Sequence, residues 1–453
     1  MNRSGSLTEG NIFNSLVRLA LPLMGTSFIQ MAYALTDLIW LGRLSTDAVA
    51  AAGAVGFLTW FGSGIVLISY VGVGVKVAQS YGKDNIEEAI SYSKNGIQFD
   101  MMLGISYALI LFLFSHKIIG FFNLESQKVY DMAISYLKII SIGVTFNFLN
   151  PVFSNILNST GDSLTPFKIN TMGLIFNMIL DPLLIFGLGP IPALGIKGAA
   201  LATITAQIVV TSLFVIVGKG GETLYSNINI FSKPDKNKIK NIAQVGYPAF
   251  LQTSAQAGIG MVLARLITSY GEVGIAVQSI GSQIESLSWM TAEGFSAAIS
   301  AFTGQNYGAR KFDRIDDGYK VGMKIVGSFG IFATILLMGA GEQLFSIFTP
   351  YDPVAIEEGT KYLFILGMSQ LFMSIEIGTA GVFNGIGRTK VPAAVGVFFN
   401  VLRVPLAIFF SSYLGLGLTG IWWGITISSI LKGIFLPGIF LFIVRPNLIK
   451  GNI

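Results

Sequence analysis

The sequence predicts an all-α integral membrane protein with twelve transmembrane helices in two pseudo-symmetric six-helix bundles. Three observations carry this expectation. Of 453 residues, 52% are hydrophobic and only 12% are charged, about half the charged share of a soluble domain. Apolar runs long enough to cross a bilayer recur along the whole chain. The second half of the chain also repeats the first.

A helix needs roughly 20 apolar residues to cross the hydrocarbon core. Twelve such runs are read near 14–40, 48–75, 97–122, 130–157, 166–188, 194–218, 243–268, 273–301, 321–348, 360–386, 391–414 and 417–444. A barrel would instead show alternating segments of about ten residues. The opening stretch "MNRSGSLTEGNIFNSLVRLA" is polar at its start and leads straight into a span, so no cleavable signal peptide is expected. There is no cysteine, which excludes disulfides.

The net charge of +5 serves topology and is no sign of a nucleic-acid partner. Lys76, Lys83 and Lys94 fall between spans 2 and 3. Lys219, Lys233, Lys236, Lys238 and Lys240 fall between spans 6 and 7. Arg310, Lys311, Arg314, Lys320 and Lys324 fall between spans 8 and 9, Arg388 and Lys390 follow span 10, and Arg445 and Lys450 end the chain. All lie on one side. The opposite loops hold few: Arg43, Lys117, Lys128 and Lys361. The positive-inside rule therefore places both termini in the cytoplasm of a multi-pass cell-membrane protein.

The repeat is colinear. "LALPLMGTSFIQ" (19–30) resembles "VGYPAFLQTSAQ" (245–256), pairing Pro22 with Pro248 and Gln30 with Gln256, each 226 residues apart. The same offset carries "AQSYG" (78–82) onto "GQNYG" (304–308), Tyr136 onto Tyr362, and "LNSTGDSLTP" (157–166) onto "FNGIGRTKVP" (383–392). Asn177 and Pro182 then match Asn400 and Pro405 at an offset of 223, and "LGIKG" (194–198) matches "LGLTG" (416–420) at 222. An N-terminal lobe over 1–225 and a C-terminal lobe over 226–453 are expected, joined by a polar cytoplasmic linker near 219–241. Six spans per half make the repeats parallel, an architecture of secondary transporters that bind substrate near the midplane.

The stretches "LALPLMGTSFIQMAYALTDLIWLGRLSTDAVAAAG", "GQNYGA" and "NMILDPLLIFGLG" resemble the multidrug and toxic compound extrusion (MATE) transporters, over essentially the whole chain. The resemblance implies a V-shaped protein that exports lipophilic, often cationic compounds by antiport with H⁺ or Na⁺.

A carboxylate at bilayer depth costs about 2.5–3.5 kcal/mol on insertion scales, so it survives only facing the bundle interior or a cavity. Asp37, Asp181, Glu285, Glu293 and Glu376 stand at such depths. Gln30, Tyr33 and Asp37 form one stripe of span 1, Asn177 and Asp181 are four apart on span 5, and Thr203 and Gln207 are four apart on span 6. Two acids with a carboxamide and a hydroxyl suit either a shared proton or Na⁺, a hard ion that takes oxygen donors. The duplication carries Asp37 onto Leu263 and Asp181 onto Val404. Scaffold persists in both copies, whereas a coupling site need exist in only one. The coupling ion is therefore expected in the N-terminal half, and the resemblance likewise points to Asp37, Asn177, Asp181 and Thr203.

Structural salt bridges are the competing reading. No basic residue shares the depth of the N-terminal acids; in the C-terminal half, Arg265 and Arg403 are candidate partners. Some relatives place a second cation site on spans 7 and 10, but the span 7 match here is Gln256. Substrate-facing residues are expected among Gln30, Tyr33, Asn150, Gln207, Gln256, Glu285, Glu293 and Glu376. Pro22 breaks the backbone bonding of span 1; the resemblance implies bending there on protonation, and a static kink is the alternative.

The expected function is cation-coupled export of lipophilic or cationic compounds, with the membrane lipid as surroundings, no cofactor and a monomeric state. A flippase for lipid-linked oligosaccharides is the alternative, since it belongs to the same superfamily. An enzyme is not expected, because no nucleophile or His ligand cluster is present.

Overall fold

The computed structural model describes residues 7–124, 126–190, 192–220, 223–226 and 228–451. Within the expected linker, Gly221, Glu222 and Asn227 lie outside the described residues, as do the first six residues of the chain. The helices are α1 (Ile12–Leu44), α2 (Thr46–Gly82), α3 (Ile86–Leu113), α4 (Ser115–Phe121), α5 (Gln127–Thr160), α6 (Leu164–Phe186), α7 (Ile196–Gly220), α8 (Lys236–Thr268), α9 (Glu272–Gly308), α10 (Phe312–Gly339), α11 (Gly341–Ser346), α12 (Pro353–Gly367), α13 (Gln370–Gly385), α14 (Lys390–Ile408), α15 (Leu418–Ile439) and α16 (Arg445–Ile449).

Among the described residues, nine helices are long and apolar enough to cross a membrane, and α12 with α13, bent by 47° at a short break, makes a tenth. The remaining two expected spans are α8 and α9. They are long, at 33 and 37 residues, but carry Gln252, Gln256, Gln278, Gln283, Glu285 and Glu293. These polar side chains keep them below the apolarity of the others.

The helices also outrun the apolar runs. α3 begins at Ile86 and α10 at Phe312, not near 97 and 321. Lys94, Arg314, Lys320 and Lys324 therefore stand on helices and not in loops. Hydropathy marks the hydrocarbon, whereas capping marks the helix. Asn85 accepts the Glu88 amide at the head of α3, and Glu87 and Glu88 complement its N-terminal dipole.

The chain forms two compact units. One holds Gly25–Tyr247, and the other holds Leu7–Met24 with Pro248–Ile453. Both α1 and α8 are thus divided. In the first unit α2 packs on α3 and α5, and α7 packs on α5 and α6, around cores containing Phe148 and Phe214. In the second, α13 packs on α9, α10 and α15, and α14 on α15, around cores containing Phe302, Phe383, Phe440 and Trp422.

The divided helices are seated by backbone contact. A side-chain carbon on Gly72 of α2 would collide with the Ile242 carbonyl of α8, and one on Gly246 of α8 would collide with the Ile68 carbonyl of α2. One glycine on each helix, set against the carbonyl of an isoleucine on the other, allows this approach. The repeat carries Ile68 and Gly72 onto Gly294 and Ala298, and Ile242 and Gly246 onto Leu16 and Ala20. Leu16, Ala20 and Ala298 lie in one core of the second unit, where a carbon on Gly294 would meet the Met24 backbone.

Hydrogen bonds tie down the chain ahead of each divided helix. Gln305 accepts the Leu7 amide at 2.9 Å and Arg314 donates to the Glu9 carbonyl at 2.7 Å. In the first unit Gln98 donates to the Ile230 and Ser232 carbonyls at 2.6 and 2.7 Å, and Asn95 accepts the Asp235 amide at 2.7 Å.

Gly246→Ala should lower the unfolding free energy by about 1–3 kcal/mol, the usual cost of forcing extra atoms into a packed contact. Gly258→Ala, whose added carbon meets nothing within 4 Å, should leave stability unchanged or raise it through helix propensity. Melting of the purified protein in detergent measures both.

Candidate functional site

The first unit brings three helices to one polar focus. α1 supplies Tyr33 and Asp37, α6 supplies Asn177 and Asp181, and α7 supplies Thr203. The Thr203 hydroxyl reaches the Asp37 carboxylate at 3.4 Å, Asn177 donates to Asp181 at 3.3 Å, and the Tyr33 hydroxyl reaches the Thr203 carbonyl at 3.5 Å. The two carboxylates are close enough for their side chains to interact directly, and Tyr136 of α5 lies within reach of both charges. Sequence reasoning paired Tyr136 with Tyr362 but gave it no place here. Pro182 follows Asp181 and withdraws the amide that would bond to the Met178 carbonyl.

Asn177 and Asp181 are 0% exposed. No Lys or Arg interacts with the acid pair among the described residues. Three buried acceptor oxygens have no donor: Oδ1 of Asp37, Oδ1 of Asn177 and Oδ2 of Asp181. An unmet buried acceptor costs about 1–3 kcal/mol, and two adjacent buried carboxylates repel. The arrangement is short of positive charge and of donors, which a small cation or a proton supplies.

The other expected residues fall into four groups. Asn150 donates to the Gln207 side chain at 2.7 Å and accepts from Thr211 at 2.7 Å, so these residues join α5 to α7. Gln30 and Gln256 are exposed. Pro22 stands just before Met24, the last residue of α1 in the second unit, and Pro248 is the first residue of α8 in that unit.

Glu285 and Glu376 belong to a network in the second unit, and Glu293 stands within reach of the Glu376 charge. Glu285 of α9 accepts from Tyr362 at 2.9 Å and from Gln370 at 3.0 Å. Glu376 of α13 pairs with Lys432 of α15 at 3.5 Å. The partner expectation needs correction here. Arg265 makes no ion pair among the described residues, and Arg403 donates to Ser428 and Ser429 at 2.9 and 3.0 Å instead of to a carboxylate, although its charge acts on both Glu285 and Glu376. The direct partner is Lys432. Its signal in the sequence was a single lysine inside an apolar run.

A further acid lies in the first unit. Asp100 of α3 is fully buried and accepts the Ser69 hydroxyl, while its Oδ2 has no donor. It stands close to the expected start of span 3, where a polar residue reads as a span edge.

The MatE family model matches the chain twice, over residues 22–183 and 248–409, two segments that start and end 226 residues apart. The chain is 28% identical, over 93% of its length and 90% of the relative's, to the probable multidrug resistance protein NorM of Thermotoga maritima. It is 26% identical to the FAD transporter of Shewanella oneidensis, over 94% of each chain. A solved outward-facing structure of a multidrug resistance MATE family transporter of the MOP superfamily superposes with a TM-score of 0.88 at 26% identity, covering 99% of both chains. The chain therefore belongs to the MatE family, multi-pass membrane proteins that are transporters and not enzymes.

Proposed function

We propose that this protein exports lipophilic cations from the cell by antiport with a monovalent cation held by Asp37, Asn177, Asp181 and Thr203. The observation that carries this reading is the trio of donorless buried oxygens beside two carboxylates, with no base to balance them among the described residues. The number of acceptors favours Na⁺ over H⁺. One proton bridges two oxygens at most, whereas Na⁺ accepts all three and adds Thr203 or water, all hard oxygen donors. Ion binding draws Asp37, and so α1, toward α6 and α7; Pro22 is the weak point at which α1 yields. The two six-helix halves, with both termini cytoplasmic, then alternate access.

The name of the Thermotoga relative supports drug export. Anionic cargo, as the FAD transporter's name records for that protein, and the diphosphates a lipid flippase handles would need free cations at depth. The buried cations of the second unit, Arg403 and Lys432, are engaged by Glu285 and Glu376.

Ethidium export from proteoliposomes, with a Na⁺ gradient at fixed pH and a pH gradient without Na⁺ imposed separately, tests the coupling. Export should follow the Na⁺ gradient, and Asp181→Asn should lower it at least tenfold. Full export by Asp181→Asn would refute the site, and full export on the pH gradient alone would assign the ion as H⁺. In a separate measurement, NaCl in place of choline chloride should raise the melting temperature. The stabilisation should reach about 2.7 kcal/mol at a hundred times the dissociation constant, and Asn177→Leu should abolish the salt-specific part.

A further inference from the structure

The second unit carries a polar site of different character, and its charges can be counted. It holds three carboxylates, Glu285, Glu293 and Glu376, and two bases, Arg403 and Lys432. Glu376 and Lys432 are 5% and 8% exposed and form an ion pair. Arg403 acts on Glu285 and Glu376. Glu293 is left over: among the described residues it has no hydrogen bond or ion pair, and the only charge acting on it is the carboxylate of Glu376. The site therefore retains one net negative charge.

Glu293 is also exposed, near the middle of the 37-residue α9. A carboxylate at that depth is not stable against lipid, so this face of α9 borders water or cargo. Glu285, Trp289 and Glu293 follow one another at four-residue steps and share that face. Trp289 is 39% exposed and stands between the two acids, which are about 12 Å apart along the helix at 1.5 Å per residue. That is close to the length of a three-ring aromatic compound. At the Glu285 end, Gln370 is 1% exposed and its Oε1 has no donor, although its Nε2 is bonded to Glu285. An orphaned acceptor there calls for a ligand N–H.

We infer that this face of α9 is a binding site for one aromatic organic monocation, with Trp289 against its ring, Glu293 opposite its charge and Gln370 accepting from an amino group. Lys432 and Arg403 act as tethered counter-ions that set the capacity of the site at a single positive charge. A cation over an indole face is attracted by the ring quadrupole. A second positive charge finds no free carboxylate, because Lys432 already holds Glu376. The site thus separates monocations from dications, a selectivity that rests on the export of cations proposed above.

Ethidium and propidium test this, because they share one ring system and differ by one positive charge. Their binding to the purified protein in detergent is read by fluorescence, at fixed Na⁺ and without a gradient, so the result does not depend on the coupling ion. The wild-type protein should bind ethidium at least tenfold more tightly than propidium. Glu293→Gln should weaken ethidium at least tenfold. Lys432→Met should shift the ethidium-to-propidium ratio at least tenfold toward propidium, and adding Glu376→Gln to that variant should return the ratio toward the wild-type value. If Lys432→Met does not purify, the double variant and Glu293→Gln still decide the matter. Ethidium binding by Glu293→Gln within twofold of wild type, or an unchanged ratio in Lys432→Met, would overturn the inference alone. No ethidium binding by the wild-type protein would overturn it together with the export reading.

Discussion

Hydrocarbon offers a polar group nothing to bond with. The rest of this molecule follows from that constraint. Backbone groups meet it by forming helices throughout the described spans. Side chains meet it pairwise: Asn150 with Gln207 and Thr211, Arg403 with Ser428 and Ser429, Glu376 with Lys432. Against that background an unmet group stands out. Asp37, Asn177 and Asp181 leave three oxygens without donors in one place, and no side chain among the described residues repairs the deficit. Such a site is unfinished by design if its missing component arrives and leaves.

The duplication divides labour between two copies of one fold. Contacts of the backbone are kept, as the seats of α8 on α2 and of α1 on α9 illustrate. Polar content at depth is not kept. The first unit has acids without bases near Asp37 and Asp181, and the second has acids with bases near Glu376. At these seats the close approach is kept while the letters change, as Gly72 and Gly246 become Ala298 and Ala20. A carboxylate at depth is costly in either copy, so each persists only where it has a task or a partner.

Much of this was legible in the letters. The two halves are visible because prolines, glycines and tyrosines recur at one spacing. Asp37 and Asp181 are visible because a carboxylate among apolar letters is an anomaly that physics does not forgive. Lys432 was harder to see: a lone lysine in the last apolar run resembles one that reaches its ammonium out to the headgroups, and only the fold turns it inward. Asp100 was lost because hydropathy cannot separate a span edge from a helix interior. The donorless oxygens had no signature at all, since satisfaction of a lone pair is a matter of angles and not of composition. The division of α1 and α8 between units was marked in the sequence by Pro22 and Pro248, but the letters do not say to which unit each side of a proline belongs.

That division bears on how the protein is made. The Leu7 amide bonds to Gln305, 298 positions further along the chain. At about 5–20 residues per second, a ribosome takes tens of seconds to bring the two together. During that interval the opening turns of α1 have emerged while the surface they occupy does not yet exist. The nascent chain must leave its own beginning unplaced, to be claimed only near the close of synthesis. Completion of the second unit is therefore also the last step in folding the start of the first helix, and translation stalled in the C-terminal half would strand an exposed N-terminus for the quality-control machinery to find.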